Sequence, residues 1–243
     1  MSLQLMDFNK KKVFITGSSR GIGLSIAKKF KDSRAIVIGS SRNRESISDE
    51  IFDDYFIADF QNDEDIEECA AFLKKIKPDI LINNVGINKV SKFADINSED
   101  FLKIQKVNLY TPFFLTQAAV PNMIKNNWGR ILSITSIWGK VGKEHRASYS
   151  ASKFGLDGLT LAIALEYAKD GIIANSLAPG FTDTDLTRKT LNDEQISNLS
   201  NIIPIKRMAE ADEISEFALW LCSEKNTYIT GQNISIDGGF SRS

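Results

Sequence analysis

Short apolar runs alternate along the chain with longer segments in which apolar residues recur every three or four positions. Val13-Phe14-Ile15-Thr16, Ala35 to Gly39, Tyr55-Phe56-Ile57, Asp79 to Ile82, Arg130 to Ile134, Ile172 to Leu177 and Asn233 to Ile236 read as seven strands. Gly21 to Lys31, Asp63 to Ile76, Phe113 to Lys125 and Ser148 to Lys169 read as helices between them. Within the second of these, Ile66, Cys69, Ala70 and Leu73 fall at i, i+3, i+4 and i+7, on one helix face. Ser98 is the expected cap of a further helix. Ile214, Phe217, Ala218, Leu221 and Cys222 mark the last one. Strands alternating with helices predict βαβ units and a parallel sheet. Several strands are apolar throughout, as expected when both faces are covered. Right-handed crossovers then give an α/β fold with a doubly wound parallel sheet of seven strands and helices on both faces.

Composition narrows the class. At 243 residues the chain fits one large domain with a substantial core. A net charge of -1 gives no electrostatic case for nucleic acid or an anionic membrane. Cys69 and Cys222 are isolated, form no metal pattern and are expected to be buried apolar fillers. Two free cysteines without a signal peptide suit a reducing cytoplasm. No apolar run approaches bilayer length.

In such sheets ligands sit beyond the carboxyl ends of the strands, and the chemistry-bearing residues fall there. Thr16-Gly17-Ser18-Ser19-Arg20-Gly21-Ile22-Gly23 follows the first strand and opens the first helix. A plain turn would explain a glycine cluster alone. The strand–turn–helix context favours a nucleotide, whose pyrophosphate approaches the backbone at a helix N-terminus. After strand two, an acidic residue would accept from a ribose 2′-OH. The chain has Ser41, Arg42 and Arg44 instead. Arg42 can clamp a phosphate in a bidentate way, and Arg20 could add a second charge. Both point to NADP(H) over NAD(H), against the alternative of a solvated loop. Tyr149 and Lys153 lie one helical turn apart, and Ser136 stands thirteen residues before Tyr149. A nearby ammonium is expected to lower the phenol's pKa and make it a usable acid or base.

These residues together resemble the short-chain dehydrogenases/reductases over essentially the whole chain. The resemblance rests on Thr16 to Gly23, Asn83-Asn84-Val85-Gly86, Asn108, Ser136, Tyr149 with Lys153, Pro179-Gly180 and Asp237-Gly238-Gly239. Val85 departs from the family's usual alanine. The resemblance implies a single Rossmann-type domain over residues 1–243. It implies that Asn108, Ser136, Tyr149 and Lys153 form a catalytic tetrad. It also implies cofactor contacts at Gly17, Ser19, Arg20, Gly21, Ile22, Gly23, Ser41, Arg42, Tyr149 and Lys153. Asp59 would meet the adenine amino group, Asn84 and Gly86 the adenosine side, and Pro179, Gly180 and Thr182 the nicotinamide carboxamide.

Hydride transfer to a carbonyl carbon builds negative charge on its oxygen. Tyr149 would protonate that oxygen, Ser136 would hydrogen-bond it, and no metal is needed. Lys153 would hold the ribose, and Asn108 would fix a water linking Lys153 to solvent. His145 is either a solvent-facing loop residue or a substrate contact. Trp138 either walls the substrate pocket or simply packs. The polar segment 181–204 is expected to be a lid. In length and layout the chain resembles bacterial 3-oxoacyl-[acyl-carrier-protein] reductases. Acyl carrier protein is acidic, and where that group carries basic residues this chain has Asn127-Trp128 and Asp170. A thioester carbonyl and a small keto-sugar or polyol derivative therefore both stay open as substrates. Ala151, Gly155, Gly158, Ala162 and Ala164 line the long helix, which in this family forms a subunit interface and suggests a homotetramer. The alternative is close packing within one subunit. A non-catalytic NADPH sensor on the same fold is a different class, disfavoured by intact Ser136, Tyr149 and Lys153.

Overall fold

The computed structural model describes residues 6–43, 50–184, 187–188 and 192–243. Arg44 and parts of segment 181–204 lie outside them. Seven parallel strands form the main sheet: β1 (Lys12–Ile15), β2 (Ile36–Ser41), β3 (Asp54–Ile57), β4 (Ile80–Asn83), β5 (Gly129–Ile134), β6 (Ile172–Pro179) and, later in the chain, β9 (Asn233–Ile236). Their order is β3-β2-β1-β4-β5-β6-β9. Val13 is in register with Val37 on one side and Ile80 on the other. The winding therefore reverses between β1 and β4, and that reversal opens a crevice at their carboxyl ends.

The apolar runs make strands because each residue has a core to enter. Val13 and Ile15 enter one core with Ile80, Ile82, Leu132 and Ile134. Phe14, between them, enters the other with Leu81 and Ile131. That is the period-two alternation of a sheet covered on both sides. Helix α1 (Gly21–Asp32) supplies Ile26 and Phe30 to the first core. Helix α2 (Asp63–Ile76) supplies Ile66, Cys69, Ala70 and Leu73 to the second, on the face its periodicity predicts. Both cysteines are free and buried.

Some boundaries differ from the sequence reading. Helix α3 (Ser98–Gln105) is capped by Asn97, whose side chain accepts from the Glu99 N–H, and Ser98 is its first residue. A wide π-type turn, Lys106–Tyr110, joins α3 to α4 (Thr111–Lys125). Helix α5 (Ala147–Tyr167) follows β5. A small parallel pair, β7 (Thr182–Asp183) with β8 (Ala209–Glu210), stands outside the main sheet. Between them runs α6 (Asp193–Ile202), held by a capping box of Asn192 and Gln195 and burying none of its residues. Helix α7 (Ala211–Cys222) packs Ile214, Ala218 and Leu221 into the first core. Among the described residues, no helix is long and apolar enough to cross a membrane.

Candidate active site

The crevice between β1 and β4 is a cavity of about 790 Å³. Gly17, Ser19, Arg20, Gly21, Ile22 and Gly23 line one side of it. Ser41 and Arg42 line it from the end of β2, Asp59 from the end of β3, and Asn84 and Gly86 from the end of β4. The sequence reading missed Ala58, Phe60, Gln61, Ile87, Val107 and Thr184 on its wall.

The turn after β1 is shaped by backbone demands. Gly17 and Gly21 have φ of 66° and 56°, the left-handed region that favours glycine. A Cβ on Gly23 would lie 2.4 Å from the Gly17 carbonyl oxygen and 2.5 Å from Asn84 Nδ2, so the turn packs directly on the helix start. Asn84 Nδ2 donates to the carbonyls of Thr16 and Gly17, each at 2.9 Å. Thr16 Oγ1 accepts from the N–H groups of Asn84 and Val85, each at 3.0 Å. Asn84 thus staples the β4 loop to the glycine turn. Arg20, the cap residue of α1, makes no side-chain cap hydrogen bond. Gly21, Ile22 and Gly23, the first residues of α1, line the cavity, and a helix start carries unpaired N–H groups and a partial positive charge, as an anion site requires. Glycines without room for a Cβ, open helix donors and two guanidinium groups fit a phosphorylated dinucleotide. Arg20 and Arg42 are both exposed and pair with no acidic side chain among the described residues. Asp59 accepts from the Gln61 N–H at 3.1 Å and from its side-chain amide.

The four residues expected to form the tetrad meet beside this cavity. Lys153 is 2% exposed, and its Nζ donates to the Ile134 carbonyl at 2.8 Å, at the end of β5. A Cβ on Gly86 would lie 3.4 Å from that Nζ and 3.6 Å from Asn108 Oδ1, so the three converge. Asn108, in the π-type turn, is fully enclosed. Its Oδ1 accepts from the Ile87 N–H at 2.8 Å, and its Nδ2 donates to the Ile87 carbonyl at 2.9 Å and to Ser152 Oγ at 3.0 Å. Ser152 donates onward to the Tyr149 carbonyl at 2.7 Å. The Asn108 amide is therefore committed, and its role falls to geometry and to its backbone. Ser152, absent from the sequence reading's site, is the bridge. Its signal was its place three residues after Tyr149.

Ser136 is buried, and its Oγ accepts from the Trp138 N–H at 3.2 Å. With its oxygen held, its proton is free for another oxygen, and it lies close enough to the Tyr149 hydroxyl to lower that group's pKa. The expected acidity of Tyr149 is reversed. Its ring keeps some exposure, but the hydroxyl sits deep, and burial pushes its pKa up against smaller lowering effects of Ser136 and Arg146. Lys153 Nζ stands 5.7 Å from the Tyr149 ring centre and spends a hydrogen bond on Ile134, so it does not offset that burial. Burial also pulls Lys153 down to about 8.

The remaining candidates divide. Pro179 ends β6, and Thr182 Oγ1 donates to the Gly180 carbonyl at 3.3 Å, beyond the cavity's lining residues. Trp138 packs edge to face on Phe181 and Phe240. His145 is exposed with φ of 60°, the solvent-facing alternative. Asn127 and Asp170 sit in touching turns: a Cβ on Gly171 would lie 2.2 Å from the Asn127 carbonyl oxygen. These turns open β5 and β6, at the end of the sheet away from Ser136.

A family model described as enoyl-(acyl carrier protein) reductase matches residues 17–241. The chain belongs to the short-chain dehydrogenase/reductase family. It is an oxidoreductase of that family, acting on CH–OH groups. It is 36% identical over 243 residues to a 3-oxoacyl-[acyl-carrier-protein] reductase of Buchnera aphidicola subsp. Schizaphis graminum, covering 96% of this chain and 98% of that one. A protein of the same description from Rickettsia bellii is 37% identical over 239 residues, covering 97% and 98%. Among solved structures, a gluconate 5-dehydrogenase of Burkholderia cenocepacia in complex with NADP and tartrate aligns with a TM-score of 0.91 and 28% identity, covering 100% of both chains. A short-chain type dehydrogenase/reductase of Mycobacterium marinum aligns at 0.90 and 28%, covering 99% of both.

Proposed function

We propose that this chain is an NADP(H)-dependent carbonyl reductase of 3-oxoacyl thioesters, with Asn108, Ser136, Tyr149 and Lys153 as its catalytic group. The observation that carries the reading is the convergence of Ser136, the Tyr149 hydroxyl and a buried Lys153 at the carboxyl end of β5, beside the dinucleotide-shaped cavity. A nicotinamide, when bound, supplies or takes up the hydride. Tyr149 gives its proton to the carbonyl oxygen in reduction and takes it back in oxidation. Ser136, its own oxygen held by the Trp138 N–H, donates to the same oxygen and fixes it. Lys153 holds the ribose hydroxyls, and the locked Asn108 keeps the π-type turn open for a water that returns protons to Lys153. Arg20 and Arg42 take a 2′-phosphate, which favours NADP(H) over NAD(H). Residues 1–243 act as one domain, with 181–204 as a lid over the substrate, in the cytoplasm.

The thioester substrate is supported by the descriptions of the Buchnera and Rickettsia relatives. Delivery by acyl carrier protein is favoured less, since Asn127 and Asp170 replace basic residues. A second reading, reduction of a keto-sugar acid, is supported by the gluconate 5-dehydrogenase neighbour. NADPH oxidation with acetoacetyl thioesters, set against a panel of keto-sugars, separates the two. Tyr149→Phe is expected to abolish turnover, by about 10²-fold or more, and to leave NADPH binding intact. Near-normal turnover in that variant would overturn the catalytic assignment.

A further inference from the structure

Trp138, Phe181 and Phe240 belong to neither hydrophobic core. They come from the turn after β5, the turn after β6 and the last turn of the chain, Phe240–Arg242. Their rings meet edge to face, with centroids 5.9 Å apart for Trp138 and Phe181, 5.7 Å for Trp138 and Phe240, and 5.2 Å for Phe181 and Phe240. All three remain partly exposed. The cluster stands against the catalytic group, because the Trp138 N–H holds Ser136 Oγ and Phe181 follows Gly180. The chain end is tied in as well. A Cβ on Gly238 would lie 2.6 Å from Ile205 and 2.8 Å from Ile203, so the last turn packs on the far end of the 181–204 segment.

We propose that these three rings form the specificity wall of the substrate site and select an apolar acyl tail over a polyhydroxylated one. This rests on the reading that Ser136 and Tyr149 hold the substrate carbonyl. Three interlocked rings offer faces and edges to a hydrocarbon, and to a hydroxyl only the single indole N–H of Trp138. A sugar hydroxyl desolvated against them loses its hydrogen bonds. A tail lying on Trp138 leaves the carbonyl two residues away, at Ser136. Trp138 touches the tail. Phe240 is a positioning residue that braces the other two rings.

The test is steady-state NADPH oxidation by the full chain with 3-oxoacyl thioesters of increasing tail length and with a keto-sugar acid. Wild type, Trp138→Ala, Trp138→Phe, Phe240→Ala and the double variant Trp138→Ala with Phe240→Ala are compared. Trp138→Ala is expected to raise KM for the longer tails by on the order of tenfold, with kcat nearly held and NADPH affinity unchanged. Trp138→Phe recovers most of that loss. Phe240→Ala shifts KM the same way by less, and the double variant adds little, since both act through one cluster. If wild type reduces thioesters but the variants keep its KM and tail-length preference, the wall is wrong and the catalytic reading stands. If wild type reduces only the keto-sugar acid, the thioester reading and the wall fail together. A variant with lowered Tm and unchanged KM counts against the wall, since packing alone predicts that result.

Discussion

Lys153 stands under electrostatic tension. It is buried, its one hydrogen bond goes to a neutral carbonyl, and burial holds its pKa at about 8 against 10.5 in the unfolded chain. Below pH 8 both states hold the proton, and the folded state bears the full cost of a buried ammonium. Between pH 8 and 10.5 the unfolded chain holds more protons, so stability rises with pH through that window. Lys153→Met removes this dependence. The stability difference between wild type and the variant is expected to change by about 3 kcal/mol from pH 7 to 10.5, in wild type's favour. Denaturant titrations of the cofactor-free proteins at several pH values measure it, and a constant difference would refute it. Tyr149 has a matching consequence. Its raised pKa keeps it protonated near neutrality, as reduction requires. The rate of alcohol oxidation should therefore climb with pH through the alkaline range while that of carbonyl reduction falls. Stopped-flow single turnovers in each direction would show it, and parallel profiles would contradict it. Spacing revealed that Tyr149 and Lys153 are neighbours. It could not reveal their protonation, which depends on how deep the hydroxyl sits and on where Nζ points.

The glycine turn and the β4 loop work as one element, since Asn84 bonds both the Thr16 and Gly17 carbonyls. A side chain at Gly23 meets a backbone oxygen rather than a flexible group, so the turn has to move. Gly23→Ala is expected to cost about 1–3 kcal/mol and to weaken NADPH binding at least tenfold. Gly142→Ala, where nothing lies within 4 Å, is the control that should change neither. Thermal unfolding and NADPH fluorescence titration decide, and equal behaviour of the two variants would show that the close approach is unimportant. At this scale much was legible. Val13 to Thr16 and Asp79 to Ile82 announced strands by unbroken apolar runs, and the turn by its glycines. The π-type turn at Lys106–Tyr110 was not legible, because nothing local distinguishes it from ordinary helix. It is set by Asn108 bonding Ile87 and Ser152, contacts 21 and 44 residues distant in sequence. The β7–β8 pair was hidden for the opposite reason: two residues per strand carry no period. Thr184 reached the cavity wall unannounced, since its place near Gly21 is fixed by the fold around it.

At the scale of the molecule, α5 bears on association. Ala151, Phe154, Gly158, Leu161, Ala162 and Leu165 are all exposed, and their spacing puts them in one stripe along the helix. Leu165 is 74% exposed, Phe154 48% and Leu161 44%. Phe113 and Tyr110, beside it on α4 and the π-type turn, are exposed as well. The small residues expected to allow close approach separate into two groups. Gly155 and Ala164 serve this chain, one against Leu109 and one in the core. Gly158, with open space around it, leaves room for a neighbour. An exposed apolar stripe of this kind marks an interaction surface. A second copy is a fitting cover, because a two-fold axis lays the same stripe against itself and closes. Leu165→Glu with Phe154→Glu places charges near both ends of the stripe; Phe154 follows Lys153 in sequence but faces solvent, 48% exposed against 2% for Lys153. Light scattering is expected to give at least twice the chain mass for wild type, four times if a second interface joins two such pairs, and a smaller species for the variant. The variant's Tm should also lose its dependence on protein concentration, since dissociation then no longer accompanies unfolding. A wild-type protein that sediments as a monomer would leave the stripe without a partner of its own kind.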